Sequence, residues 1–271
     1  MAGRSSGAIR GLIAVVVIAV VAVATGLIVR AVWHKVTENT AQGCSFGDQH
    51  TSTGQAAVAS SMVGVVIGRS LPQRAAVLVI AAGLQESKLT NIPAGQGDRD
   101  SVGVLQQRPS QGWGKPEQLA DVRFATGAFL TALIKVPRWQ TDALATVIQK
   151  VQISADGTAY AQHEGTATSI VTAMWGAPRG IACSFSKPTR VASVASVASQ
   201  LSRDLPVQKP TTDSRSVHVP GASWRTAAWL VANADRLGIA TVSYDRSTWT
   251  RSKGWHDGSA SADEVVATLA G

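Results

Sequence analysis

The chain is 271 residues long, with 25 Lys+Arg against 17 Asp+Glu, a formal net charge of +8 and a sequence pI near 10.0. Charged residues make up 15% and hydrophobic ones 45%, with a mean hydropathy of +0.11, which excludes a chain disordered over most of its length. Two cysteines exclude a disulfide-dense miniprotein and every cysteine-based zinc finger or ribbon.

Residues 11–29, GLIAVVVIAVVAVATGLIV, run 19 positions without a charge between Arg10 and Arg30. As a helix the run is about 28 Å long, close to the thickness of a hydrocarbon core. It predicts residues 1–35 to be a cytoplasmic arm and transmembrane anchor of a single-pass cell-membrane protein, its body on the extracytoplasmic side. The rival is a cleaved signal peptide, but the run is long for one and no small-x-small cleavage pattern follows it. Cys44 and Cys183 are both followed by Ser-Phe. Outside the membrane they could form a disulfide around the intervening domain; the alternative is two unrelated thiols.

Residues 36–53, rich in Thr, Gly, Asn and Gln, read as a linker. Helical patterns follow over residues 55–67 and 72–86, the second opened by Pro72 and carrying the uncharged run AAVLVIAAGLQ, apolar on nearly every face and so suited to the centre of a core. Residues 87–116 concentrate Gly, Pro, Asp, Ser and Asn and read as a long loop or short irregular sheet, a length more often functional than incidental. Helical periodicity resumes over 121–136, 142–154 and 158–175. Residues 54–183 are thus expected to be one mainly α domain. Residues 184–222 read as a polar linker with a small-residue helix around VASVASVAS. Residues 223–271 form a small α/β module: an amphipathic helix stopping at Gly238, a strand over 239–244, and a second over 248–251 paired with it across Asp245-Arg246-Ser247.

Glu86 ends the buried apolar helix and faces the irregular loop. A carboxylic acid partly withdrawn from water is what protonation of a leaving glycosidic oxygen needs. Ser87 follows it directly, and 17 positions after the Glu comes Gly103-Val104-Leu105-Gln106-Gln107-Arg108-Pro109; Ala159-Tyr160 lies much later. This combination resembles the lysozyme-like superfamily, in particular soluble lytic transglycosylases and goose-type lysozymes. Their motifs are a catalytic Glu followed by Ser, a Gly-Leu-Met-Gln-x-x-Pro loop, and a Tyr near the cleft on a later helix. QESKL and GDRDSVGVLQQRPSQGWG are similar to a group of actinobacterial envelope proteins that carry this domain behind an anchor. The likeness covers residues 54–176, and it departs where Ala159-Tyr160-Ala161-Gln162 replaces the family's Tyr-Asn-x-Gly.

The resemblance implies a mainly α lysozyme-like domain with Glu86 as acid/base, Ser87 orienting the Glu or substrate, Gln106 at the neighbouring saccharide subsite, and Tyr160 as a hydrogen-bond partner near the carboxyl. Inverting hydrolysis needs a second carboxylate about 6.5 to 9.5 Å away, for which Asp98 and Asp100 are the candidates. A lytic transglycosylase needs only the Glu, and those Asp residues then pair with Arg99 or cap a turn. Trp113 and Trp139 are the aromatics best placed to stack on sugars. The five His residues show no HExxH spacing, His163-Glu164 reads as a surface pair, and no nucleotide loop appears, so no metal or cofactor is expected. The net charge suits an anionic surface, but scattered basic residues argue against nucleic acid.

The expected function is that of a membrane-anchored enzyme cleaving the MurNAc-GlcNAc β-1,4 bond of peptidoglycan, as a lytic transglycosylase or muramidase. The alternative is a non-catalytic glycan-binding or envelope-assembly scaffold. Expected partners are peptidoglycan strands, the membrane through the N-terminal helix, and envelope proteins through the C-terminal module.

Overall fold

The computed structural model describes residues 24–27, 30, 42–153, 157–188, 190–221 and 223–271. The chain divides into two compact units, Met1–Gln42 and Gly43–Gly271, and all that follows concerns the second. The run expected to span a membrane lies outside the described residues except for 24–27. Among the described residues no helix is long and apolar enough to cross a membrane.

The second unit opens with β1 (Gly43–Phe46) and β2 (Gln49–Thr51), which form a three-stranded antiparallel sheet with β3 (Ala182–Ser184) in the order β2-β1-β3. Cys44 stands directly opposite Cys183 in the β1–β3 register, and the two are joined by a disulfide across 139 positions of sequence. Helix α1 (Thr53–Gly68) starts at a reciprocal cap: Gln55 N donates to Ser52 Oγ at 3.2 Å and Ser52 N to Gln55 Oε1 at 2.7 Å. Helix α2 (Gln73–Ser87) is buried at every position from Ala75 to Gly83, as an all-round apolar helix must be. It ends on two successive left-handed residues, Lys88 and Leu89, whose amides return to the carbonyls of Leu84 and Gly83.

Around α2 pack α1, α4 (Val122–Leu133), α5 (Leu144–Gln152) and α6 (Glu164–Trp175), with the single turn α3 (Pro116–Leu119) beside α4 and a 3-10 helix over Thr158–His163 leading into α6. Then come α7 (Val194–Asp204), α8 (Trp224–Ala232) and α9 (Ala234–Leu237). The second sheet is antiparallel throughout, in the order β4-β5-β9-β6-β7-β8, with β4 (Thr211–Thr212), β5 (Ser216–Pro220), β6 (Ile239–Tyr244), β7 (Ser247–Thr250), β8 (Gly254–Asp257) and β9 (Glu264–Leu269). Asp245 and Arg246, both at positive φ, make the tight turn between β6 and β7.

The expected fold class, a mainly α domain with a membrane helix and a small α/β appendage, does not hold. Helices and two antiparallel sheets of three and six strands share one unit. Segments expected to be linkers carry strands: β1 and β2 in 36–53, β4 and β5 in 184–222. Alternating burial explains the latter, since Val217 and Val219 on β5 and Val265, Ala267 and Leu269 on β9 point into the core while their neighbours are half-buried.

Polar contacts stitch the sheet half to the helices. The fully buried Asp204 carboxylate accepts from Arg123 on α4, from Ser61 on α1 at 3.3 Å and from Trp229 Nε1 on α8 at 2.9 Å. Asn233 donates to Ser60 Oγ at 2.8 Å. A Cβ at Gly64 would lie 2.6 Å from the Asp204 carbonyl, so α1 can approach the end of α7 only with glycine there. Trp249 and Trp255 donate to the carbonyls of Cys183 and Ile181, at 3.1 and 2.6 Å.

Candidate active site

The left-handed stop after Ser87 leaves Glu86 on the last turn of α2, half-buried where the core meets the surface. Tyr160, fully buried in the 3-10 segment, donates its phenolic hydrogen to Glu86 Oε1 at 2.5 Å. That bond fixes one carboxyl oxygen of a side chain that would otherwise rotate about three bonds. Ser87 Oγ lies 2.7 Å from the Val104 carbonyl and 3.2 Å from that of Gly83. With one proton to give, the nearer acceptor is the better one, so Ser87 fastens the loop to the end of the helix.

The loop itself is tightly specified. Val102 and Gln107 exchange backbone hydrogen bonds at 3.0 and 3.1 Å, and Gly103 N donates to Ile92 O at 2.8 Å. Gly103 has φ +80°, and a Cβ there would fall 2.2 Å from the Leu119 carbonyl, so the close approach requires glycine. Gln106, at φ +44°, turns its amide onto the Gly103 carbonyl at 2.8 Å and is half-buried. Gln107 Nε2 reaches Ala125 O at 3.2 Å, and Gln152 on α5 donates to Leu105 O at 3.0 Å.

Asp100 is engaged within this loop: it accepts from Arg108 Nε at 2.5 Å and from Ser110 N at 2.8 Å. The hydrogen bonds from Ser110, then that from Arg108, hold its carboxyl well below the usual range, so it is an ionised clasp. Asp98 is exposed and lies 3.9 Å from Arg99 Nε. Asp100 is thus held within the loop, whereas Asp98 stays open to solvent.

Sequence reasoning set aside His163 as a surface partner of Glu164. In the fold His163 is half-buried, with Nε2 2.9 Å from Gln85 Oε1, while Glu164 pairs with Arg74 at 3.1 Å. Burial pushes the imidazole below its ordinary value, favouring the neutral ring. Gln162 Nε2 also reaches Gln85 Oε1, at 3.3 Å. The residue before the Glu and residues just after Tyr160 therefore also meet, in addition to the Tyr160–Glu86 bond. Trp113 is placed elsewhere: it lines a cleft of about 800 Å³ with Arg69, Phe124 and Asp204, whose walls do not include Glu86. Trp139 is partly buried against the core. Among the described residues no group of three or more His, Cys, Asp or Glu is gathered as a metal site.

Comparison of the chain with protein-family models and with curated proteins gives no match.

Proposed function

We propose that the protein is a peptidoglycan lytic transglycosylase that cleaves the MurNAc-GlcNAc β-1,4 bond with Glu86 as its acid/base. The observation that carries this reading is the 2.5 Å hydrogen bond from buried Tyr160 to a Glu86 carboxyl held at the end of a buried helix. It joins two of the motifs on which the family resemblance rests, 74 positions apart in sequence. Tyr160 acts as a positioning residue: by holding Oε1 it leaves Oε2 to face the scissile oxygen.

Protonated Glu86 gives its proton to the glycosidic oxygen as the bond to the anomeric carbon breaks. The resulting carboxylate takes the proton of the sugar's own 6-hydroxyl as that oxygen attacks the anomeric carbon, which closes a 1,6-anhydro ring and restores the acid. No second carboxylate is required, and this choice over hydrolysis is supported by Asp100, whose oxygens are taken by Arg108 and Ser110. The Cys44–Cys183 bridge favours an oxidising compartment, outside the cytoplasm, where the glycan is found.

The test is to incubate the full chain and its Glu86→Gln variant with purified peptidoglycan and identify the released muropeptides by mass spectrometry. Anhydro-muropeptides from the wild type alone are expected. Reducing-end products would replace this reading with hydrolysis, and glycan binding without release by either protein would replace it with a scaffold.

A further inference from the structure

The cleft that holds Trp113 lies away from Glu86. It is lined by the last turns of α1, from Gly64 to Gly68, and by Arg69 just after them, whereas Gln55 near the start of α1 donates to the Lys88 carbonyl beside the end of α2. The 14 residues from Gln55 to Arg69 put about 20 Å of helix between the two places.

The cleft is strongly cationic. Among the described residues Arg69, Arg123, Lys135 and Arg203 line it, and Asp204 is the one carboxylate in its wall. That carboxylate is fully buried and already accepts from Arg123, Ser61 and Trp229. Arg123 and Arg203 also border an adjoining hollow with Glu117, Asp121 and Asp235, so Arg69 and Lys135 are the cations that face this cleft alone. Among the described residues Arg69, Lys135 and Arg203 take part in no ion pair. Arg69 is also held ready: Nη1 donates to Thr131 Oγ1 at 3.0 Å, and Nη2 lies 3.0 Å from where a Cβ on Gly127 would stand, so a bare glycine lets the guanidinium lie against α4. Beside these cations are two aromatic rings, half-buried Trp113 and Phe124, which is 38% exposed.

We propose that this cleft is a second binding site, for an anionic glycopolymer whose units carry phosphodiesters and sugars. The guanidinium fork of Arg69 matches a phosphate geometrically, and an indole face takes the apolar face of a sugar. A concave site of this volume admits a few units of a single flexible chain, whereas a nucleic acid duplex or a bilayer presents a surface too broad to enter it. The inference does not depend on the role of Glu86.

The experiment is calorimetric titration of the full chain with poly(glycerol phosphate), bare and glycosylated. A neutral glycan, inorganic phosphate and a single-stranded oligonucleotide serve as the other arms. The glycosylated polymer is expected to bind most tightly, with affinity falling steeply from about 50 to about 200 mM salt. Arg69→Glu with Lys135→Glu should weaken it about tenfold or more, and Arg203→Glu, on a different helix, should act in the same direction. Trp113→Ala should cost the glycosylated polymer more affinity than the bare one. Peptidoglycan turnover should be unchanged in the Arg69/Lys135 variant, so a failure here is distinguishable from a failure at Glu86. Wild-type affinity in the charge variants would overturn the proposal. Equal or tighter binding of the oligonucleotide, the neutral glycan or inorganic phosphate would also overturn it.

Discussion

Breaking the Cys44–Cys183 bridge should expose how far this unit relies on a constrained unfolded chain. The bridge closes a loop of 139 positions, running from β1 through all of α1 to α6 and back to β3. On the chain-entropy relation such a loop removes about 17 cal/mol/K from the unfolded ensemble, or about 5 kcal/mol at 25 °C. With a urea slope of about 2.5 kcal/mol/M, reduction should lower the unfolding midpoint by about 2 M. Tryptophan emission is a suitable readout, because Trp249 and Trp255 donate to the carbonyls of Cys183 and Ile181 and so report directly on β3. A Cys44→Ala/Cys183→Ala variant should match the reduced wild type. A midpoint shift below about 0.5 M on reduction would refute the reasoning, because it would mean that the unfolded chain loses little freedom through this loop.

Tyr160→Phe keeps the buried ring but removes the donor to Glu86; we expect turnover to fall about 10-fold, roughly the worth of one hydrogen bond, with the circular dichroism spectrum unchanged. Asp204→Ala leaves the Arg123 guanidinium, Ser61 Oγ and Trp229 Nε1 without their shared acceptor and should cost about 3 to 5 kcal/mol in thermal or urea unfolding, whereas a loss below about 1 kcal/mol would contradict the central place given to that carboxylate. His218 sits between Asp213 and Glu264, whose hydrogen bonds and charges raise its pKa above 6.5. Its contribution to stability is therefore complete below pH 6.5 and is lost as pH rises through the raised folded value; stability curves of His218→Gln should lack this component.

The helical core was legible because its signals are strong and local. The run from Ala75 to Gly83 has no polar face to show to water, and Gly238 marks a helix end at φ +73°. The strands β1, β2 and β3 span 4, 3 and 3 residues, too short for alternation to stand out from linker composition. Their pairing depends on partners far along the chain. β5 did alternate, but Thr211-Thr212 and Asp213 before it and Pro220 at its end drew attention to turn chemistry instead. At the candidate site, Glu86 stood out as a carboxyl ending an apolar helix, while Ser87 and Tyr160 were reached only through the resemblance to the lysozyme-like motifs. Gln85 and His163 could not be picked out, since they meet across 78 positions and neither is unusual alone. Trp113 was read only as a flat sugar-stacking surface; its placement beside Arg69 follows from how α1 and α4 pack, which no local pattern encodes.

The shared acceptor at Asp204 also bears on how this gene could be cut and rejoined. A recombination breakpoint between the codons of Cys183 and Val194 would look harmless on paper, since it falls where the sequence reads as the start of a linker. It would strip Ser61 and Arg123 of their acceptor and Ser60 of its donor from Asn233, and would uncover the α1 face on which Trp229 and its neighbours rest. The helical half should therefore not travel alone between proteins. Shuffled descendants that retain the Glu86 loop are expected to carry the α7 to β9 segment with it, or to have replaced Ser60, Ser61 and Arg123 by apolar side chains.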